Sequence, residues 1–306
     1  MPTLIVFVDG VGLGSCDPAI NPFAAVATPT LDALAFGSWT TPRLQAREGH
    51  AFAALDATLG ADGLPQSATG QSALLTGRDA VAAMGRPYGP WPGPTLKRFL
   101  AGGELFGWAT GRHGPDAAAW AGAYPPGFFA ALERGRLRLN ALAHAARAAG
   151  VALPDLEAYR RGEAVAADLD GAYFASLGVE PPGGHRAGPA GAERAGRRLA
   201  GLASRRTLTL LDVWLTDQVG HAARRDQAAE LIERLDAFLH GLLDARPAEL
   251  DVLLVSDHGN LEDLSHGRHT RAPVPLASLG PSAPRLARAR SLLDVAPALL
   301  AGWDAA

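Results

Sequence analysis

Three short apolar runs punctuate the chain: Leu4-Ile-Val-Phe-Val8, Thr207-Leu-Thr-Leu-Leu-Asp-Val-Trp-Leu215 and Asp251-Val-Leu-Leu-Val-Ser256. Near-continuous hydrophobicity over so few residues predicts strands buried on both faces of a parallel sheet. Segments with helical spacing lie between them. In Asp226-Gln-Ala-Ala-Glu-Leu-Ile-Glu-Arg-Leu-Asp-Ala-Phe-Leu-His240 apolar residues recur every three or four positions, which predicts an amphipathic helix covering the sheet. Thr28-Pro-Thr-Leu-Asp-Ala-Leu-Ala35 predicts a helix start, with Thr28 as cap and Pro29 in the first turn. Strands alternating with helices imply an α/β fold, a mostly parallel central sheet with helices on both faces.

The middle differs. Residues 86–198 are rich in Gly, Pro, Ala and Arg, carry turn signals at Pro90-Trp-Pro-Gly-Pro94 and Pro181-Pro-Gly-Gly184, and show weak strand patterns. They read as a small inserted cap of helix and loop over the carboxyl edge of the sheet, leaving residues 1–85 and 199–306 as the core.

Each strand run leads into potential metal ligands. Asp9 follows the first, Asp217-Gln-Val-Gly-His221 the second, and Asp257-His258 the third, with His269-Thr-Arg-Ala-Pro-Val-Pro275 further on. The carboxyl ends of parallel strands are where α/β sheets present site residues. Asp217 and His221, four apart, share a helical face and can close on one cation. Three aspartates and three histidines in this arrangement point to a hydrolytic or phosphoryl-transfer metalloenzyme. Mixed Asp/His ligation suits two divalent ions, Mn or Zn, better than magnesium alone.

A nucleophile is offered by Gly63-Leu-Pro-Gln-Ser67-Ala-Thr-Gly70-Gln-Ser72-Ala-Leu-Leu-Thr-Gly77-Arg78. A loop feeding a helix presents free N–H groups and a positive dipole end to a phosphate. A serine there beside a divalent cation can ionise and attack phosphorus. Ser67 also reads as a simple helix N-cap, Ser72 and Thr69 compete as nucleophiles, and His266 competes with His269. Arg78, Arg86 and Arg112 are candidate phosphate clamps, as is the cluster Arg134, Arg136 and Arg138, although solvated faces are the default for arginine. His50, His113, His144, His185 and His240 lack partners at ligand spacing. Asp9-Gly-Val-Gly-Leu-Gly14 follows a strand like a dinucleotide fingerprint, but Ser15 stands where the third glycine belongs.

Composition narrows the partners. A net charge of −3 excludes a globally basic nucleic-acid binder. The single cysteine, Cys16, excludes an intrachain disulfide framework and fits a reducing compartment. The first apolar run is too short for a signal peptide and lacks a basic flank, and no stretch approaches a membrane span. These features predict a soluble cytoplasmic protein acting on a small substrate, with no membrane or nucleic-acid partner and the oligomeric state left open.

The ordered set Asp9, Ser67, Asp217/His221, Asp257-His258 and His269 resembles the alkaline phosphatase superfamily of metalloenzymes. Asp257-His-Gly-Asn260 and the segment from His269 to Pro275 are most similar to the cofactor-independent phosphoglycerate mutases, with phosphopentomutases as neighbours, and Thr28-Pro-Thr-Leu-Asp32 resembles a Thr-Pro-Asn-Leu-Asp element of that superfamily. The resemblance spans roughly residues 2–78 and 207–276 and implies an alkaline-phosphatase-like core. It implies that Asp9, Asp257 and His258 hold one ion beside Ser67, and that Asp217, His221 and His269 hold the second. Ser67 takes the nucleophile's place, three residues before Gly70 and ten before Gly77, whereas Gly70-Gln-Ser72 resembles the mutases' Gly-Asn-Ser only superficially. The mutases follow their serine with Glu-Val-Gly-His; here Ala-Thr-Gly-Gln follows, and the insertion is shorter than a mutase's second domain. The implied activity is therefore a two-metal phosphoesterase or phosphotransferase working through a phosphoserine on a small phosphorylated metabolite. A phosphoglycerate- or phosphopentomutase-like phosphomutase is the alternative, and a non-catalytic metal-binding regulatory protein is the reading from a different class.

Overall fold

The computed structural model describes residues 1–305. Its strands are β1 (Thr3–Val8), β2 (Leu44–Arg47), β3 (His50–Leu55), β4 (Ala118–Trp120), β5 (Gly122–Ala123), β6 (Val165–Ala166), β7 (Leu208–Val213), β8 (Asp251–Val255) and β9 (Val274–Leu279). Seven of them form one sheet in the order β2-β3-β9-β8-β1-β7-β4, and β5 pairs with β6 apart from it. The strands β8, β1, β7 and β4 run parallel, while β9, β3 and β2 extend the sheet antiparallel beyond β8. The three predicted strand runs are thus immediate neighbours, with β1 in the middle.

Both faces are dry. Side chains alternate across the sheet with the two-residue strand period. Ile5, Phe7, Leu208, Leu210, Leu253 and Val255 join one buried cluster, and Leu4, Val6, Val8, Leu211, Val213, Val252 and Leu254 join the other. The first face is covered by the Ser67–Thr76, Pro94–Ala101, Leu105–His113, Ala141–Ala148 and Val295–Asp304 helices, which supply Leu74, Leu96, Phe106, Leu142 and Leu299. The second is covered by Pro189–Ala203 and Arg225–Asp244, through Leu199, Leu231, Leu235 and Phe238. Glycines let these two helices touch: a methyl at Gly196 would collide with the backbone of Phe238 and Leu242.

Two local expectations are refined. Thr28 does occupy the cap position with Pro29 behind it, but its side chain makes no capping bond. Asp236, from the Arg225–Asp244 helix, accepts from the N–H groups of Thr30 and Leu31 at 2.9 and 2.8 Å instead. The segment 86–198 is not wholly set apart from the sheet. Its early part contributes β4, parallel to β7, and helices of the first face, and its last residues begin the Pro189–Ala203 helix. A separate small cluster, Ala123, Tyr159, Ala164, Ala166 and Phe174, holds the part between.

Candidate metal centre

Three adjacent strand ends deliver the candidate ligands. Asp9 directly follows β1, Asp257 and His258 follow β8, and Asp217 sits in the Leu215–Ala222 helix just after β7. Gly10 turns the chain at φ +66°, and a side chain there would meet the Asp217 carboxylate. His221, one turn after Asp217, places Nε2 3.3 Å from Asp217 Oδ2. The loop before β9 brings His269 Nε2 to 3.3 Å from His221 Nε2 and 3.7 Å from Asp217 Oδ1. His258 Nε2 lies 3.3 Å from Asp9 Oδ1 and 3.7 Å from Asp257 Oδ1. Two donor groups result, Asp217/His221/His269 and Asp9/Asp217/His258, each with its ligand atoms within 4.8 Å of one another. Asp217 belongs to both. Asp257 adjoins the second group, its oxygens accepting from Gly10 N at 3.4 Å and Gln71 Nε2 at 3.2 Å. His266 stays outside, 3.6 Å from Asp263.

The histidines are oriented as ligands. His221 Nδ1 donates to Gly267 O at 2.9 Å, His269 Nδ1 to Pro65 O at 2.8 Å, and His258 Nδ1 approaches Gly259 O at 3.3 Å. Fixing the proton on Nδ1 leaves the Nε2 lone pairs of His221 and His269 facing Asp217, the usual outer arrangement behind a metal-bound imidazole, while His258 turns Nε2 toward Asp9.

The electrostatics of the centre suit cations. Burial, then the neighbouring Asp257 charge, hold the Asp9 carboxyl well above its ordinary range against the pull of His258. Burial likewise raises Asp257. Burial opposes a charged His258, yet Asp257, Asp9 and Asp217 outweigh it and lift the ring to about 10. His269, desolvated and facing His258, is pushed down to about 4. Asp9 Oδ1 is buried with no aligned hydrogen-bond partner among the described residues. Clustered carboxylates that resist ionisation when alone, with lone pairs aimed at one point, fit divalent cations.

Ser67 is the first residue of its helix, and Gln66, not Ser67, takes the cap position. Ser67 Oγ lies 3.0 Å from His258 Nε2. Ser72, by contrast, is buried and donates to Ala68 O at 2.6 Å, and Thr69 donates to Gln66 O at 3.0 Å. Only Ser67 of the three faces the ligands. Gly70 allows this: a Cβ there would lie 2.9 Å from Asp257 O.

Supporting residues escaped the sequence. Glu262 accepts from Gly12 N at 2.9 Å, from Asn260 N at 2.7 Å and from the Thr270 hydroxyl, tying the loops after β1 and β8 to the one before β9. This closes the glycine-rich loop on a carboxylate, with no helix starting there to receive a dinucleotide. Ser256 Oγ accepts from Val11 N at 2.9 Å, and Asn260 Nδ2 donates to Asp217 Oδ1 at 2.6 Å. Asn140 donates to Asp212 Oδ2 at 2.7 Å, and Gln71 Oε1 accepts from Ala141 N at 3.1 Å. A hydrogen-bonding residue that meets its partner only through the fold leaves no spacing signal.

A cleft of about 1190 Å³ opens from the centre, lined by Asp9, Ser67, Asp212, Asp217 and His221 on one side and by Trp91, Tyr124, Phe128, Arg136, Arg138 and Tyr173 on others. The proposed clamps lie elsewhere. Arg78 is bonded to the Phe99 and Gly103 carbonyls, Arg86 lies over Tyr88, and Arg112 pairs with Asp304 at 3.5 Å. Arg136 and Arg138 are the cleft's arginines. His50 is spent on Leu34 O, and His113 on the Trp108 ring.

Comparison with known proteins agrees with this geometry. Residues 197–303 match the model of the Metalloenzyme superfamily. A stretch of 96 residues is 34% identical to the 2,3-bisphosphoglycerate-independent phosphoglycerate mutase of Cellvibrio japonicus, covering 29% of this chain and 19% of the mutase. The match thus spans about a fifth of that relative's length. Among solved structures the chain is similar to the PH0037 protein from Pyrococcus horikoshii, with TM-score 0.52 and 15% identity over 91% of this chain and 85% of that one. It is similar also to the alkaline phosphatase from the Antarctic bacterium TAB5, with TM-score 0.52 and 13% identity over 98% and 97%. Residues 197–303 are thus similar to the Metalloenzyme superfamily, and the fold of the chain is alkaline-phosphatase-like.

Proposed function

We propose that the chain is a two-metal phosphoryl-transfer enzyme that releases phosphate from small phosphate monoesters through a phosphoserine at Ser67. The observation that carries this reading is Ser67 Oγ at the head of its helix, 3.0 Å from His258 Nε2 and beside the Asp9/Asp217/His258 donors. Two divalent ions, Mn or Zn, held by these residues and by Asp217, His221 and His269 would offset the crowded carboxylates, lower the serine pKa and neutralise phosphate charge. Asp9, Asp257 and His258 serve the ion nearer Ser67.

The remaining chemistry belongs to the chain. The helix N-terminus turns its free N–H groups and dipole toward the incoming phosphoryl oxygens. Ser67 gives its hydroxyl proton to solvent water and its Oγ attacks phosphorus; the new O–P bond forms as the ester O–P bond breaks, and the departing alkoxide takes a proton from water in the open cleft. A water then attacks the phosphoserine, inorganic phosphate leaves, and the proton returns to Ser67 Oγ. Within the expected cap of residues 86–198, the part held by the Ala123, Tyr159, Ala164, Ala166 and Phe174 cluster acts as the cap in this reading.

The mutase-like alternative rests on a stretch of 96 residues that is 34% identical to a phosphoglycerate mutase. Hydrolysis ranks first because Ala68-Thr-Gly-Gln71 replaces the mutase motif and because the cleft is open. Protein reconstituted with manganese or zinc should release phosphate from p-nitrophenyl phosphate, and chelation should stop it. Stoichiometric metal binding without turnover of any phosphate ester would favour the regulatory alternative.

A further inference from the structure

The cleft is larger than a three-carbon phosphoester requires, and it exceeds the roughly 300–1,000 Å³ of ordinary small-molecule sites. Its mouth is aromatic. Of six exposed large hydrophobic side chains among the described residues, three line this one cleft: Trp91, Tyr173 and Trp214, at 44, 54 and 37% exposure. Scattered single apolar residues need no explanation, whereas a gathering at the mouth of a site does. Trp214 stands three residues before Asp217, so the aromatic surface begins beside the cation ligands. Phe128 extends the wall from the Pro126–Glu133 helix, none of whose residues is fully buried. Arg136 and Arg138 add positive charge, and the Arg138 guanidinium lies 5.7 Å from the Trp91 ring centroid.

We propose that this cleft selects phosphate monoesters whose alcohol carries a planar ring, of about nucleoside size, and so defines the leaving group of the reaction proposed above, on which the inference rests. Flat aromatic faces favour a ring, which stacks on them with little loss of freedom, over a flexible chain or a polyol. Arginine beside an aromatic face holds the same ring by its cation and accepts a further anionic group at its edge. The phosphoryl group then lies at Ser67 while the ring rests against Trp91 and Trp214.

The test uses adenosine 5′-monophosphate, octyl phosphate and glycerol 3-phosphate. Their binding to the manganese-loaded Ser67→Ala protein is measured by calorimetry, and phosphate release is measured on the wild type. Adenosine 5′-monophosphate should bind at least about tenfold tighter than the other two, the scale of one stacking contact. Trp91→Ala should remove most of that advantage and Trp91→Phe should keep it; circular dichroism checks that both fold. Equal affinity for all three esters, or tighter binding of octyl phosphate, overturns the ring assignment. Selective binding of adenosine 5′-monophosphate without phosphate release from any ester supports the ring site while overturning the phosphatase reading.

Discussion

His221 and His269 face each other with Nε2 atoms 3.3 Å apart, each ring anchored through Nδ1 to a backbone carbonyl. Two lone pairs directed into one space, with Asp217 oxygens beside them, make a donor group that could hold one divalent cation. Elemental analysis after reconstitution with manganese or zinc should find about two ions per chain. His221→Ala should lose one ion and most activity with an unchanged circular dichroism spectrum. A wild-type protein that holds no more than one ion contradicts this.

Gly70 fixes the distance between the serine helix and the β8 turn. A methyl there would sit 2.9 Å from Asp257 O and 3.0 Å from Asp257 Cβ, so helix or turn must shift. Gly70→Ala should cost about 1–3 kcal/mol of stability and lower phosphate release by at least about tenfold, because the shift moves Ser67 from His258. Urea unfolding and steady-state kinetics measure both. Wild-type values in each would show that this approach is not close.

Asp212, near the end of β7, is buried and held at about 8, by burial first and the Asp9 charge second, against one hydrogen bond from Asn140. An unfolded aspartate titrates near 3.9. Between these values the folded state keeps a proton that the unfolded state has lost, so stability of the metal-free protein falls as pH rises from about 4 to about 8, then levels. Asp212→Asn should remove the Asp212 part of the slope while the raised Asp9, Asp257 and His258 keep theirs, so the variant gains on the wild type as pH rises. Denaturant midpoints of chelated protein across that range decide it; a wild type that gains on the variant with rising pH contradicts the assignment.

The three central strands were legible because each is a short apolar run, and most candidate ligands were legible because they follow such a run or lie one helical turn beyond it; His269, in the loop before β9, was singled out by its Pro-Val-Pro context. Other strands gave no such signal. β4 is only Ala118–Trp120, β2 is exposed throughout, and β9 carries Pro275 in its interior. The bracing residues were hidden for another reason: Gln71 meets Asp257 across 186 residues, and Glu262 meets Gly12 across 250. The arginines carry no positional signal in the sequence. In an arginine-rich chain, charge alone does not separate Arg78, bonded to backbone carbonyls, from Arg138 in the cleft.

Hydrolysis should outrun isomerisation. A mutase must hold its product between two half-reactions in a site closed to water, which this open cleft does not provide. Incubation with 3-phosphoglycerate, followed by an enolase-coupled assay alongside free-phosphate detection, should show release with little 2-phosphoglycerate. Efficient isomerisation without release reverses the ranking.

The central claim is that Ser67 carries the phosphoryl group, and trapping tests it most directly. Metal-loaded protein mixed with labelled p-nitrophenyl phosphate, quenched in acid and mapped by mass spectrometry, should carry phosphate on Ser67. Ser67→Ala should carry none and turn over at least about a thousandfold more slowly. Phosphate on Ser72 or Thr69, or full turnover by the Ser67→Ala protein, would contradict the account.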